Sequence, residues 1–276
     1  MSGKPLLVFS RRSVLPVLAT TAMAVAAPAA WAVGAIKHYI LIEVLPGADQ
    51  LELDRWYLTF HGPQVRRAFK AWQRNYVSFR SYLPPAEATS RYKILFGRMT
   101  EIQFDTLADF QETRPNNVYG ELSSFTPPPG GWRGNKLFKS TTATIPVNAT
   151  ELYVSGATPP KEIPYLRWVV FFRYPEGVTQ DEGDAWWTAT HAPELSRLPG
   201  LKRFAYYRSV RSDSDYPRVA EFWFDDYPAW RAAFLSPAPR FTTPRWSKTF
   251  PFFDMISMFV GENPDIDFVN DDRVIP

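Results

Sequence analysis

The chain contains one passage twice. Asp54-Arg55-Trp56-Tyr57-Leu58-Thr59-Phe60-His61-Gly62-Pro63 aligns with Asp184-Ala185-Trp186-Trp187-Thr188-Ala189-Thr190-His191-Ala192-Pro193, setting Asp54 on Asp184, Tyr57 on Trp187, His61 on His191 and Pro63 on Pro193. Further on, Glu101-Ile102-Gln103-Phe104-Asp105 meets Glu221-Phe222-Trp223-Phe224-Asp225, Phe110 meets Trp230 and Trp132 meets Trp246, at offsets that shrink along the chain. An internal repeat constrains architecture more strongly than any local propensity. Shrinking offsets place the deletions in loops. The sequence therefore reads as a tandem duplication of a module of roughly a hundred residues.

Residues 1–12 are basic, residues 13–29 are apolar and rich in alanine, and Ala30-Trp31-Ala32 offers a small-x-small cleavage site. Residues 1–32 read as a secretory signal peptide, because the apolar run is interrupted by Pro16 and is too short to span a membrane. Ser10-Arg11-Arg12-Ser13-Val14-Leu15 is similar to a bacterial twin-arginine export motif, with Pro16 where that motif often has lysine. The expectations are a partnership with the twin-arginine export machinery, cleavage near Ala32 and a periplasmic or secreted product with no stable membrane span. Lys4, Arg11 and Arg12 are the only charges of the leader and account for the net charge of +3. The mature chain is then balanced and has no basic field for nucleic acid. The absence of cysteine excludes disulfides, zinc–thiolate sites and thiol nucleophiles.

After the leader, residues 33–147 form a first module, 148–164 a linker, 165–261 a second module and 262–276 an acidic tail, read as a strap or a partly disordered segment. In the first module residues 37–44 read as a strand ended by Pro46-Gly47. Residues 51–72 carry large apolar side chains at helical spacing, with a break or kink expected beside His61 because Pro63 suits only a first helical turn. Residues 76–82 and 94–104 read as strands, Asp105 caps a second helix, and residues 137–147 read as the last strand. The second module repeats this with strands at 166–174, 204–210 and 218–224 and a helix at 181–196. The order β-α-β-β-α-β is the ferredoxin-like arrangement, so the fold class is α+β.

Trp187-x-x-x-His191-x-Pro193-Glu194 followed by Leu198-Pro199-Gly200-Leu201 resembles the EthD-like branch of the dimeric α+β barrel superfamily. The first module shares Tyr57-x-x-x-His61-x-Pro63 but lacks the Leu-Pro-Gly-Leu element. The resemblance implies two modules that pair their antiparallel sheets into a barrel, here within one chain, giving a monomeric barrel or a homodimer of barrels. Relatives so implied include muconolactone isomerase, polyketide aromatic cyclases, cofactor-free monooxygenases, and the haem-binding chlorite dismutases and dye-decolourising peroxidases. Such a fold does not name a reaction.

Only His38, His61 and His191 supply imidazole, the side chain suited to proton exchange near neutrality. The expected acid/base residues are His191 and His61, each one turn after Trp187 or Tyr57, with Tyr206 or Tyr207 beside His191 and Tyr57 and Tyr76 beside His61. A repeated His-x-Pro also suits a structural helix junction. His38 departs from the repeat, since Trp168 stands opposite, and reads either as a mark of the active half or as a strand-end histidine in solvent. Arg80 with Glu101, and Arg208 with Glu221, are repeated and expected to pair within each half, as a substrate clamp or as a structural ion pair. Glu43, opposite Arg173, is a further candidate base. Phe, Tyr and Trp make up 16% of the chain, more than one helix-packed face needs, so Trp186, Trp187, Trp223 and Tyr207 are expected to line a pocket for a flat aromatic substrate. The spacing of carboxylates and histidines suggests no metal site. A cofactor-independent lyase or ring-opening enzyme, isomerase or cyclase is the first reading. A haem-dependent or cofactor-free oxidoreductase, or a non-catalytic aromatic-binding protein, is the alternative.

Overall fold

The computed structural model describes residues 35–113, 125–146, 153–160, 162–211, 214–237 and 239–271. The leader, residues 148–152 of the linker and Asp272 in the tail lie outside them. The first module runs β1 (Ile36–Val44), α1 (Gln50–Trp56), a π-helical turn (Tyr57–His61), α2 (Gly62–Phe69), β2 (Gln73–Arg80), a short α3 (Ala86–Thr89), β3 (Gly97–Phe104), α4 (Leu107–Glu112) and β4 (Phe138–Pro146). The second runs β5 (Tyr153–Ser155), β6 (Leu166–Arg173), α5 (Gln180–Trp186), a second π-helical turn (Trp187–His191), α6 (Ala192–Leu195), β7 (Leu201–Arg208), β8 (Arg218–Phe224), α7 (Tyr227–Phe234) and β9 (Asp254–Val260). The last strand, β10 (Ile266–Asp267), belongs to the tail.

The sheets are antiparallel, with strand orders β10-β2-β3-β1-β4 and β5-β7-β8-β6-β9. Each is a ferredoxin-like sheet with one added edge strand. Linker residues supply β5 at the edge of β7, and the tail supplies β10 at the edge of β2, so the tail acts as a strap. The sheets meet along two seams, where Tyr82 N–H donates to the Phe259 carbonyl at 3.0 Å and Val210 N–H to the Thr144 carbonyl at 2.8 Å. Tyr39, Leu41, Phe79 and Met99 of one sheet pack between them against Phe171, Val219, Met258 and Val260 of the other. The barrel thus closes within one chain and its centre is packed core. Two-faced burial explains why β3 and β8 are buried at nearly every residue.

Both long helices pass their proline without breaking. A proline in the continuous α-helix would set its ring against the carbonyl four residues earlier. The turn widens instead: Gly62 N–H bonds back to the Tyr57 carbonyl and Ala192 N–H to the Trp187 carbonyl, and Pro63 and Pro193 enter the first turns beyond. The expected break at His61 is therefore a continuous π-bulge. A second correction concerns α4, which is capped by Thr106, whose side chain accepts from Asp109 N–H at 3.0 Å, while Asp105 pairs with Arg74 outside the helix. In the second module an aspartate does cap: Asp226 accepts from Ala229 N–H.

Candidate ligand site in the first module

Alternation along β1 sends Tyr39 and Leu41 into the barrel and His38, Ile40 and Ile42 towards the helices. Strand register then lines up Tyr76, Ile102, His38 and Thr144 as one row across β2, β3, β1 and β4. Above this floor the π-turn places Tyr57 and His61, and the loop before β4, rich in proline and glycine at residues 127–134, brings in Trp132. They enclose a cavity of about 250 Å³ between sheet and helices, with Trp56, Phe69 and Phe138 as further walls. An apolar cavity of about 150 Å³ already holds benzene. This one suits one or two fused rings. No charged side chain is among its described lining residues.

Its polar groups are few and fixed. Tyr57 Oη lies 2.6 Å from Thr100 Oγ1 and 3.2 Å from Tyr76 Oη, and burial raises its pKa despite those bonds and the nearby Arg98. The phenol therefore stays protonated. His38 is buried, with Nδ1 2.9 Å from Thr144 Oγ1, so it is no solvent-facing strand-end residue. His61 stacks on Trp56 at 4.8 Å and meets Trp132 edge-on at 6.0 Å. Its Nδ1 is shielded from solvent and has no hydrogen-bond partner, and burial lowers its pKa to about 4. At neutral pH it is an uncharged acceptor.

The corresponding space in the second module is closed, with only about 10 Å³ left. Trp168 replaces His38, Trp187 replaces Tyr57 and Phe222 replaces Ile102, while Phe250 and Phe253 press in from the loop before β9. His191 is completely buried among these rings, with neither nitrogen hydrogen-bonded and the Glu194 carboxylate 3.8 Å away. Tyr206 stacks on Trp187 and bonds to Asp184 and Tyr174, not to His191. The aromatic pocket expected around Trp186 and Trp187 is thus a filled core, and Trp223 and Tyr207 face the other sheet.

Desolvation lowers the His191 pKa to about 3, which makes an acid-sensitivity prediction. As pH falls below the unfolded value of about 6.5, the unfolded chain takes up the proton first. Stability attributable to His191 is complete above about pH 6.5, falls by roughly 1.4 kcal/mol per pH unit, and levels off below its folded pKa. His61, whose pKa burial lowers to about 4, adds a limb of the same sign, so His191→Phe should make the fall in unfolding midpoints between pH 7 and 4 shallower without removing it.

The arginine–glutamate pairs expected within each half do not form. Glu101 stands opposite Val77 and Arg80 opposite Arg98, so the pleat sends Glu101 into the barrel and Arg80 to the helix side. Glu101 pairs instead with Arg167 across the sheet interface and with Lys37 at 3.2 Å; burial opposes its ionisation, but these two cations hold its pKa below the usual range. Glu221 accepts from Tyr39. Arg80 pairs with Asp54 at 3.0 Å and Arg208 with Asp184. Glu43 bridges to Lys139 and Arg173 to Asp254.

Two fully buried arginines went unrecognised in the sequence. Arg98 donates to Asp54 at 2.7 Å and to Asp265 of the tail at 2.5 Å. Arg218 grips Asp184 through two bonds of 2.6 and 2.7 Å. Burial would raise the Asp184 pKa, but hydrogen bonds from Arg218, Tyr206 and Arg208 hold it below the usual carboxylate range. The repeated aspartates were the available signal, since a carboxylate on the buried face of two equivalent helices needs a cation beneath it.

Among the described residues, no three His, Asp or Glu side chains come together as a metal site. Haem does not fit these residues: His191 is sealed by phenylalanines, and the cavity of about 250 Å³ that His38 and His61 both line suits one or two rings and not a porphyrin.

Fold and site together define a tandem α+β barrel with a ring-sized cavity in one half. A family model described as EthD domain matches residues 175–243, so the second module is similar to that family over much of its length. No curated protein matches the chain significantly. Among solved structures, an anthrone oxidase-like protein aligns with 84% of this chain and 92% of its own at 13% identity and a TM-score of 0.48. A mutant chlorite dismutase from Candidatus Nitrospira defluvii, in complex with cyanide, aligns with 83% of this chain and 91% of its own at 14% identity and a TM-score of 0.41.

Proposed function

We propose that the first module is the working half of an exported, cofactor-independent enzyme that binds a small, uncharged aromatic or phenolic compound and moves a proton on it through His61. The observation that carries this reading is the asymmetry of the two halves: a cavity of about 250 Å³ in one and about 10 Å³ in the other. A flat ring fits beside Trp56 and Trp132, next to the imidazole. With no carboxylate among the described lining residues to hold an imidazolium, His61 accepts a proton only as negative charge develops on the substrate beside it. Tyr57 and Tyr76 are hydroxyl donors suited to stabilising that oxyanion. Lyase or ring-opening, isomerase and cyclase reactions share this proton movement.

The test is turnover of a panel of phenols and lactones without added cofactor. His61→Phe should lower kcat by roughly a hundredfold, within the usual range for general acid/base catalysis, and leave ligand affinity within a few-fold. Unchanged turnover would remove His61 from the chemistry. One observation favours a second reading. Acid/base histidines are usually oriented by a further group, whereas Nδ1 of His61 has no partner. A protein that only sequesters its aromatic ligand would bind the panel and turn over none of it.

A further inference from the structure

We propose a second binding site, for a small aromatic carboxylate, in the cleft of about 210 Å³ between the two sheets near the start of β1. Its described lining carries three cations, Lys37, Arg167 and Arg203, against the Glu221 carboxylate, and Glu101 pairs with Lys37 and Arg167, which leaves the cations in excess by one. Arg167, Trp223 and Arg203 form one row across β6, β8 and β7, with the Arg203 guanidinium 4.6 Å from the Trp223 ring. Tyr165 and Tyr207 add further ring surface.

The observation pointing to a ligand is the pair of guanidiniums flanking an indole in the wall of an open cleft. Arg203 lies over Trp223, and Arg167, paired with Glu101, lines the same cleft. A guanidinium offers a carboxylate parallel N–H donors, and an indole offers its ring a face. The repeat sharpens the argument. Lys37, Gln103 and Asn75 occupy the equivalent row of the first sheet, so two arginines around an indole occur in one copy only. The described lining of the first module's cavity carries no charged side chain, so the two sites select different ligands.

The test is calorimetric titration of the mature protein with benzoate, using benzamide and acetate as controls for charge and ring. Benzoate should bind at least tenfold more tightly than either control. Arg203→Gln should weaken benzoate at least tenfold while keeping its unfolding midpoint. Arg167→Lys, which retains the charge facing Glu101 but loses the planar fork, should weaken it as well. Equal binding of benzamide or acetate, no benzoate binding, or benzoate binding that survives both arginine changes would each overturn the proposal.

Discussion

Asp184→Ala is expected to cost about 3–5 kcal/mol of stability, the usual penalty for removing one partner of a buried ion pair. Arg218 is fully buried and both of its bonds to a carboxylate go to Asp184, which also accepts from Arg208, Tyr206 and Tyr174. Without that carboxylate the guanidinium would face the core uncompensated. Asp54→Ala, the same change in the other copy, should cost clearly less, because Arg98 keeps Asp265 at 2.5 Å and that aspartate is partly solvated. Denaturant unfolding of the two variants checks the difference. Equal losses would mean that the tail contact contributes nothing to Arg98.

His38→Trp should abolish ligand binding in the first module, lowering affinity at least a hundredfold while the fold is retained. The second module already carries this solution: Trp168 occupies the equivalent place, and the space beside it is gone. An indole at position 38 would extend over the row between Ile102 and Thr144 into the volume a substrate ring needs. The reverse change, Trp168→His, would leave a void and should destabilise by about 3–5 kcal/mol, as large-to-small core changes do. Titration of the first variant with 1-naphthol, alongside its unfolding midpoint, separates a blocked site from a lost fold. Undiminished binding in a folded His38→Trp protein would place the ligand elsewhere.

The duplicated modules were legible because paired landmarks such as Asp54/Asp184 and Phe110/Trp230 survive loop deletions, and because alternation and helical spacing mark strands and helices directly. The site was only half legible. His38 opposite Trp168 is a departure that marks the open half, as Tyr57 opposite Trp187 is, yet the repeated His-x-Pro names His61 and His191 alike and does not tell the open half from the filled one. That signature preserves a helix junction, and the junction remains whether the space beneath is open or filled. Cavity volume depends on side chains from β1, β4 and the loops meeting in space, and no linear pattern records the sum. The misplaced Arg80–Glu101 pair has a simpler cause. The strands were identified, but the register that sends Glu101 opposite Val77 was not, and a single-residue difference in parity moves a side chain to the other face.

The tail strap sets an order of manufacture. Phe268 packs on Gly62, where any β-carbon would lie about 2.1 Å from its ring, and touches Tyr57 and Tyr76. Asp265 closes on Arg98 from 167 residues further along the chain. During synthesis the first module therefore emerges with a buried-type arginine short of one counter-ion and with Tyr57 and Tyr76 lacking their Phe268 contact. The half made first is the half finished last. A nascent chain halted before residue 265 would carry a complete second module while Arg98 in the first still lacked Asp265 and Gly62 still lacked the Phe268 ring.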